Sequence, residues 1–144
     1  MKILIKKLRS GAVMPEYKSL GASGFDISAC IDSEIVIEPK SFGLIPTGIA
    51  IELPEGFEAQ VRSRSGLALK NGIFVLNSPG TIDNDYRGEI SVVLANFSNV
   101  PFTVTNGMRV AQIVVAQYHQ FTFQEIDGLS ETIRGSGGFG STGV

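Results

Sequence analysis

The sequence predicts an all-β protein, a jelly-roll-like sandwich or barrel carrying one short helix. Three observations predict it. Turn signals built from Gly, Pro, Asn and Asp recur about every eight to twelve residues. Phe57 to Ser63 alternates apolar and polar residues, the period of a strand with one face in water. Gly107 to Tyr118 is a longer run in which Val110, Ala111, Ile113, Val114, Val115 and Ala116 leave neither face polar. A strand apolar on both faces is buried on both. In a small all-β chain, the second covering layer is expected from another subunit.

Taken in order, Ile3 to Leu8 reads as a first strand, followed by a loop containing Pro15. The glycines and Ser23 of Leu20 to Asp26 mark a bend, and Asp26 opens the run Ile27 to Ile31. Asp26 is either a turn acid at a strand start or an acid facing a pocket, and spacing does not decide between them. Ile35 to Ile37 is a short strand. Leu44 to Ile51 reads as one strand interrupted by Pro46, which suggests an edge or a bulge. Pro54-Glu55-Gly56 is a turn, and Phe57 to Ser63 the half-buried strand. Ser65 as N-cap and Gly72 just past the end frame a short helix. Ile73 to Leu76 and Glu89 to Leu94 read as the arms of a tight hairpin, with Pro79-Gly80 as a turn signal. Phe102 to Val104 is a further strand.

The 144 residues suffice for one domain with a core, and the net charge is −2. No basic stripe points to nucleic acid. No apolar run approaches the length of a membrane span. The single cysteine, Cys30, excludes an intrachain disulfide framework or a Cys-rich zinc site. Its apolar surroundings suggest a buried, reduced thiol, which fits a reducing cytosol. A single histidine, His119, argues against a His-pair metal site or a Ser-His-Asp triad. Acid–base work then falls to carboxylates or a tyrosine.

Three stretches carry possible chemistry. Asn77 to Ile90 gathers Asp83, Asp85, Tyr86 and Arg87 on one connection. A turn needs one such acid for local hydrogen bonds, and the rest form either a pocket floor or a charged loop tip. Arg64 stands beside a helix start whose free N–H groups attract anions, or is a surface arginine beside an ordinary cap. Arg134 to Val144 is a glycine-rich tail with one arginine, one aromatic and a Ser-Thr pair. It has the parts of a lid or is a flexible end.

Together these stretches resemble the trimeric dUTPase family over essentially the full length. Five segments stand in that family's order: Ala22 to Ala29, Arg64 to Ala68, Gly80 to Gly88, Gly107 to Gln112 and Arg134 to Thr142. Each of the first four is weak alone, and all five in sequence are specific. Ser63 departs from the pattern, since many members carry proline before the Arg-Ser-Gly. The departure is expected to cost little. The resemblance implies a homotrimer with shared active sites and Mg²⁺-dependent hydrolysis of dUTP to dUMP and pyrophosphate. Such a reaction limits uracil incorporation into DNA and supplies dUMP for thymidylate synthesis. By motif, Asp83 would activate the attacking water. Tyr86 would pack on the deoxyribose, and Asn77, Gly80, Thr81 and Ile82 would read the uracil. Phe139 and Gly140 would cover the base. Arg64, Ser65, Gly66, Gln112, Arg134, Ser141 and Thr142 would hold phosphates. Asp26 would meet the metal through water.

The same resemblance implies a β domain over 1–133 and a closing arm over 134–144. A cytoplasmic location is the expectation, with nucleus and organelles left open. A dCTP deaminase or a bifunctional deaminase–dUTPase is the enzyme alternative, and a nucleotide-binding trimeric module the non-enzyme one. Asp83 and Tyr86 in the third segment, and the presence of the arm, speak for the dUTPase pattern.

Overall fold

Short β-branched runs bounded by turn residues form strands close to where alternation places them. The structure, a computed structural model, describes residues 1–138. The described residues hold eleven strands and one helix. In chain order these are β1 (Leu4–Lys7), β2 (Gly24–Ser28), β3 (Ile35–Ile37), β4 (Phe42–Pro46), β5 (Ile49–Glu52) and β6 (Phe57–Arg62). They continue with α1 (Ser65–Asn71), β7 (Ile73–Val75), β8 (Gly80–Ile82), β9 (Ser91–Asn96), β10 (Phe102–Val104) and β11 (Arg109–Gln117). One sheet runs β2-β11-β6-β8 and another β4-β9-β7, with two-stranded ribbons β1-β5 and β10-β3. All the strand pairs are antiparallel. The core between them is aliphatic, with Ile27, Ile37, Ile45, Ile49, Ile73, Leu94 and Ile113 fully buried.

Three expectations change. Leu44 to Ile51 is not one strand. It breaks after Pro46, where β4 pairs with β9 and β5 with β1. Gly48 makes the break possible. Its φ is +69°, and a β-carbon there would lie 2.8 Å from Cys30 Sγ and 2.9 Å from Ala12 Cβ. The tight hairpin is also corrected. β7 and β9 do pair, Val75 opposite Leu94, but the connection between them leaves for the other sheet. There Gly80 to Ile82 forms β8 against β6. The reason is burial: Gly80 and Ile82 are inside and Thr81 outside, so the segment completes an edge instead of turning back. Finally, Ser65 is the first helical residue and not the cap. Arg64 is the N-cap, extended at φ −86° and ψ 125°, with no side-chain cap bond. Gly72 closes the helix in the left-handed conformation, as expected.

Polar groups inside are paired. Asn96, 1% exposed, donates from Nδ2 to Ile37 O at 2.9 Å and to Val100 O at 2.8 Å. Its Oδ1 accepts from Ser98 N at 2.9 Å and Ser98 Oγ at 2.7 Å. One side chain thus ties the end of β9 to β3 and to the turn before β10. Asn96→Ala removes four hydrogen bonds, including the one to the buried Ile37 carbonyl. It is expected to destabilise the protein by about 2–4 kcal/mol, measured by urea unfolding at fixed protein concentration.

Candidate active site

Alternation along β6 builds two different surfaces. Ala59 and Val61 point inward, and Glu58, Gln60 and Arg62 point outward. The pairing Val61 with Gly80 and Ile113 carries the inner row across the sheet. The pairing of Gln112 with both Arg62 and Asp26 carries the outer row.

The inner row opens into a cleft of about 200 Å³ at the β8 edge. It brings together Asn77, Gly80, Thr81, Ile82, Asp83 and Tyr86, all expected from the sequence. Val61, Val75, Ile90 and Val92 give it apolar walls. Asp83 is exposed and, among the described residues, makes no ion pair or side-chain hydrogen bond. A free carboxylate beside an apolar slot is placed to accept a proton from water. Tyr86 is fixed from both sides. Its backbone N–H donates to Asp83 O at 3.2 Å, and its hydroxyl donates to Glu89 O at 3.0 Å. The ring lies over Gly88, where a β-carbon would fall 2.3 Å from the phenol oxygen. Glu89 is tied down in turn. Its Oε1 accepts from Gly48 N at 2.8 Å, and Arg9 lies 3.7 Å from its Oε2.

The outer row holds the second cluster. Asp26, 15% exposed, meets Arg64 Nε at 3.2 Å and Arg109 Nη1 at 2.7 Å. Arg64 Nη1 also donates to Arg109 O at 2.9 Å. One carboxylate against two guanidinium groups leaves an excess of positive charge. Gln112 Nε2 donates to Ser63 O at 2.9 Å, and Ser65 and Gly66 follow in the exposed first turn of α1. Asp26 lies within β2 and not at a turn.

Asp26, Arg64 and Gln112 are therefore neighbours, and so are Asn77, Asp83 and Tyr86. The first group adjoins a pocket lined by Asp26 and Arg109, and the second lines a different one. Arg134 sits in an exposed turn, where its Nε donates to Gly137 O at 2.8 Å. Phe139, Gly140, Ser141 and Thr142 lie outside the described residues. Sequence reasoning overlooked Arg109 and Glu89. Arg109 stood in a quoted segment, but nothing in its spacing shows that a bulge between Arg109 and Ala111 turns it towards Asp26. Glu89 carried no signal, because its partners, the Gly48 backbone and the Arg9 side chain, lie far away in the chain.

An all-β sandwich with an acid and a phenol in an apolar cleft, and a separate arginine cluster, has the parts of a site for a small anionic ligand. The chain matches the dUTPase family model over residues 11–143, and it belongs to that family. It is 55% identical over 138 residues to the deoxyuridine 5'-triphosphate nucleotidohydrolase of Treponema denticola, covering 96% of each chain. The enzyme of that name from Helicobacter pylori is 55% identical over 144 residues, covering 100% of this chain and 98% of the relative. The fold is similar to that of the Staphylococcus bacteriophage 80alpha dUTPase with dUPNHPP, at TM-score 0.90, 25% identity and 99% coverage of each chain. A dUTPase variant from phage phi11 of S. aureus has the same fold at TM-score 0.82 and 20% identity, covering 91% of this chain and 100% of that one. That structure describes the coordination of a structural Mg(II) ion.

The close approach of Tyr86 to Gly88 gives a local test. Gly88→Ala is expected to displace the phenol, break its bond to Glu89 O and destabilise the protein by about 1–3 kcal/mol. Chemical denaturation at fixed concentration reads the loss, and the Tyr86 ring resonances should move in the NMR spectrum.

Proposed function

We propose that this chain hydrolyses dUTP to dUMP and pyrophosphate, with Asp83 preparing the attacking water. The observation that carries the reading is the cleft that gathers Asn77, Gly80 to Ile82, Asp83 and Tyr86, within a chain 55% identical to named nucleotidohydrolases. The backbone of Gly80 to Asp83, with Asn77, would pair with the uracil edge. Unmet partners then penalise a wrong base. Tyr86, held rigid by Glu89 O and Gly88, would lie against the deoxyribose and leave no room for a 2′-hydroxyl. Arg64, Ser65, Gly66 and Gln112 would receive the phosphates. The arm from Arg134, with Phe139, Gly140, Ser141 and Thr142, would close over the base and the γ-phosphate. We take the arm as 134–144 and the β domain as 1–133.

Mg²⁺ suits this donor set in one way. Among the described residues, no three His, Cys, Asp or Glu side chains gather as a metal cage. Asp26 already engages two arginines. The arrangement fits a cation carried on the substrate's phosphates, with Asp26 meeting its water shell. When bound, the ion offsets phosphate charge. The chain's own work is to fix the triphosphate, hold a water at Asp83 and take its proton.

Position supports a shared site. Asp83 and the Asp26–Arg109 cluster line separate pockets, and we read a nucleotide reaching both as meeting them on different copies. The half-buried outer face of β11, with Gln112, Val114 and Ala116, is a surface a second copy would cover. We read the assembly as a homotrimer.

Two outcomes test this. Asp83→Asn should lower kcat by about 10²–10⁴ with little change in dUTP binding. Steady-state kinetics alongside calorimetry with a non-hydrolysable analogue measures both, and near-normal turnover removes Asp83 from its role. Mixing Asp83→Asn with Arg64→Ala subunits, each nearly inert alone, should restore activity after dissociation and reassembly. If one chain holds a whole site, mixing restores nothing.

A further inference from the structure

β7 is the edge strand of its sheet, and one of its buried backbone donors faces away from that sheet. Leu76 N donates to Val93 O at 2.9 Å, towards β9. N–H groups alternate in direction along a strand, so that of Val75 points off the free edge. Val75 is 1% exposed, which leaves this donor out of water's reach. Its acceptor is Ser63 Oγ, at 2.9 Å.

Ser63 lies just beyond β6, two residues after Val61. Val61 and Val75 are facing walls of the cleft. The hydroxyl therefore ties the two sheets together where the cleft opens, one turn of chain before Asn77. The backbone of the same residue works on the other side. Ser63 O accepts from Gln112 Nε2 at 2.9 Å, in the row that includes Asp26. Ser63 thus touches both functional clusters, the cleft through its side chain and the anion cluster through its carbonyl. Ser63 gives Val75 a partner that the family's usual proline could not, since proline has no hydroxyl.

We infer that Ser63 is a positioning residue that sets the width of the base cleft and links it to Gln112. It touches no reacting atom. Its effect falls on how closely the cleft walls hold a base, and so on KM and base selectivity more than on kcat. The inference rests on the reading of this cleft as the uracil site.

The test compares the full-length parent protein with Ser63→Ala and Ser63→Thr, the second keeping a hydroxyl. With dUTP, the alanine variant should show KM raised about tenfold, as expected for a buried donor left without its partner. Its kcat should stay within about threefold of the parent. Its preference for dUTP over dTTP in kcat/KM should shrink about tenfold, because a looser cleft admits the extra methyl. Threonine should restore both. In the ligand-free protein, exchange of the Val75 amide should quicken about tenfold in the alanine variant and return to normal with threonine. Unchanged exchange overturns the bridge, whatever the enzymatic activity. Faster exchange with unaltered KM and selectivity overturns the positioning role. A loss spread equally over kcat and both nucleotides, and not rescued by threonine, marks general damage and overturns it as well. A parent protein inert towards dUTP sinks the functional reading and leaves the exchange rates to judge the bridge.

Discussion

One six-residue strand is hydrogen-bonded along both edges, and the rest of the molecule follows from that. β6 pairs with β11 on one side and β8 on the other. Double pairing fixes its pleat, and the pleat assigns Ala59 and Val61 to the interior and Glu58, Gln60 and Arg62 to the outside. A slip of one residue would exchange the faces. Apolar side chains would enter water and the Glu58-Gln60-Arg62 hydrogen-bonded row would enter the core. Register and function are therefore secured by the same energy, the burial of Ala59, Val61, Ile82 and Ile113.

The anion cluster obeys a second constraint. Two guanidinium groups near each other repel, and long side chains lose rotamer freedom when fixed. Asp26 offsets both costs at once, with one carboxylate oxygen towards Arg64 and the other towards Arg109. The arginines are ordered before any ligand arrives, which lowers the entropy lost on binding. The acid sits on a strand and is mostly buried, so its position is set by the sheet and not by a mobile loop.

Much of this was legible in the residues, for a physical reason. Strand period and turn chemistry are local, and Phe57 to Arg62, Ile35 to Ile37 and Phe102 to Val104 form strands where they were expected. The cleft residues were legible because they are close in sequence. What escaped was long-range. Gly48 could not announce that the chain changes sheets there, since the reason is the nearness of Cys30 and Ala12. Gly80 to Ile82 looked like part of a turn, because its partner strand lies about twenty residues earlier in the chain. Arg109 and Glu89 act through partners brought in by the fold, and a pattern of residue types carries no trace of those.

The place of Tyr86 has a consequence for a second position. Its ring is held by an emptiness as much as by a contact, because the space it fills is the missing side chain of Gly88. The position of the phenol is thus written twice in the sequence, once as an aromatic residue and once as the lack of any side chain two residues later. The two letters have no independent value. Position 88 is closed to every other residue for as long as the ring stands where it does.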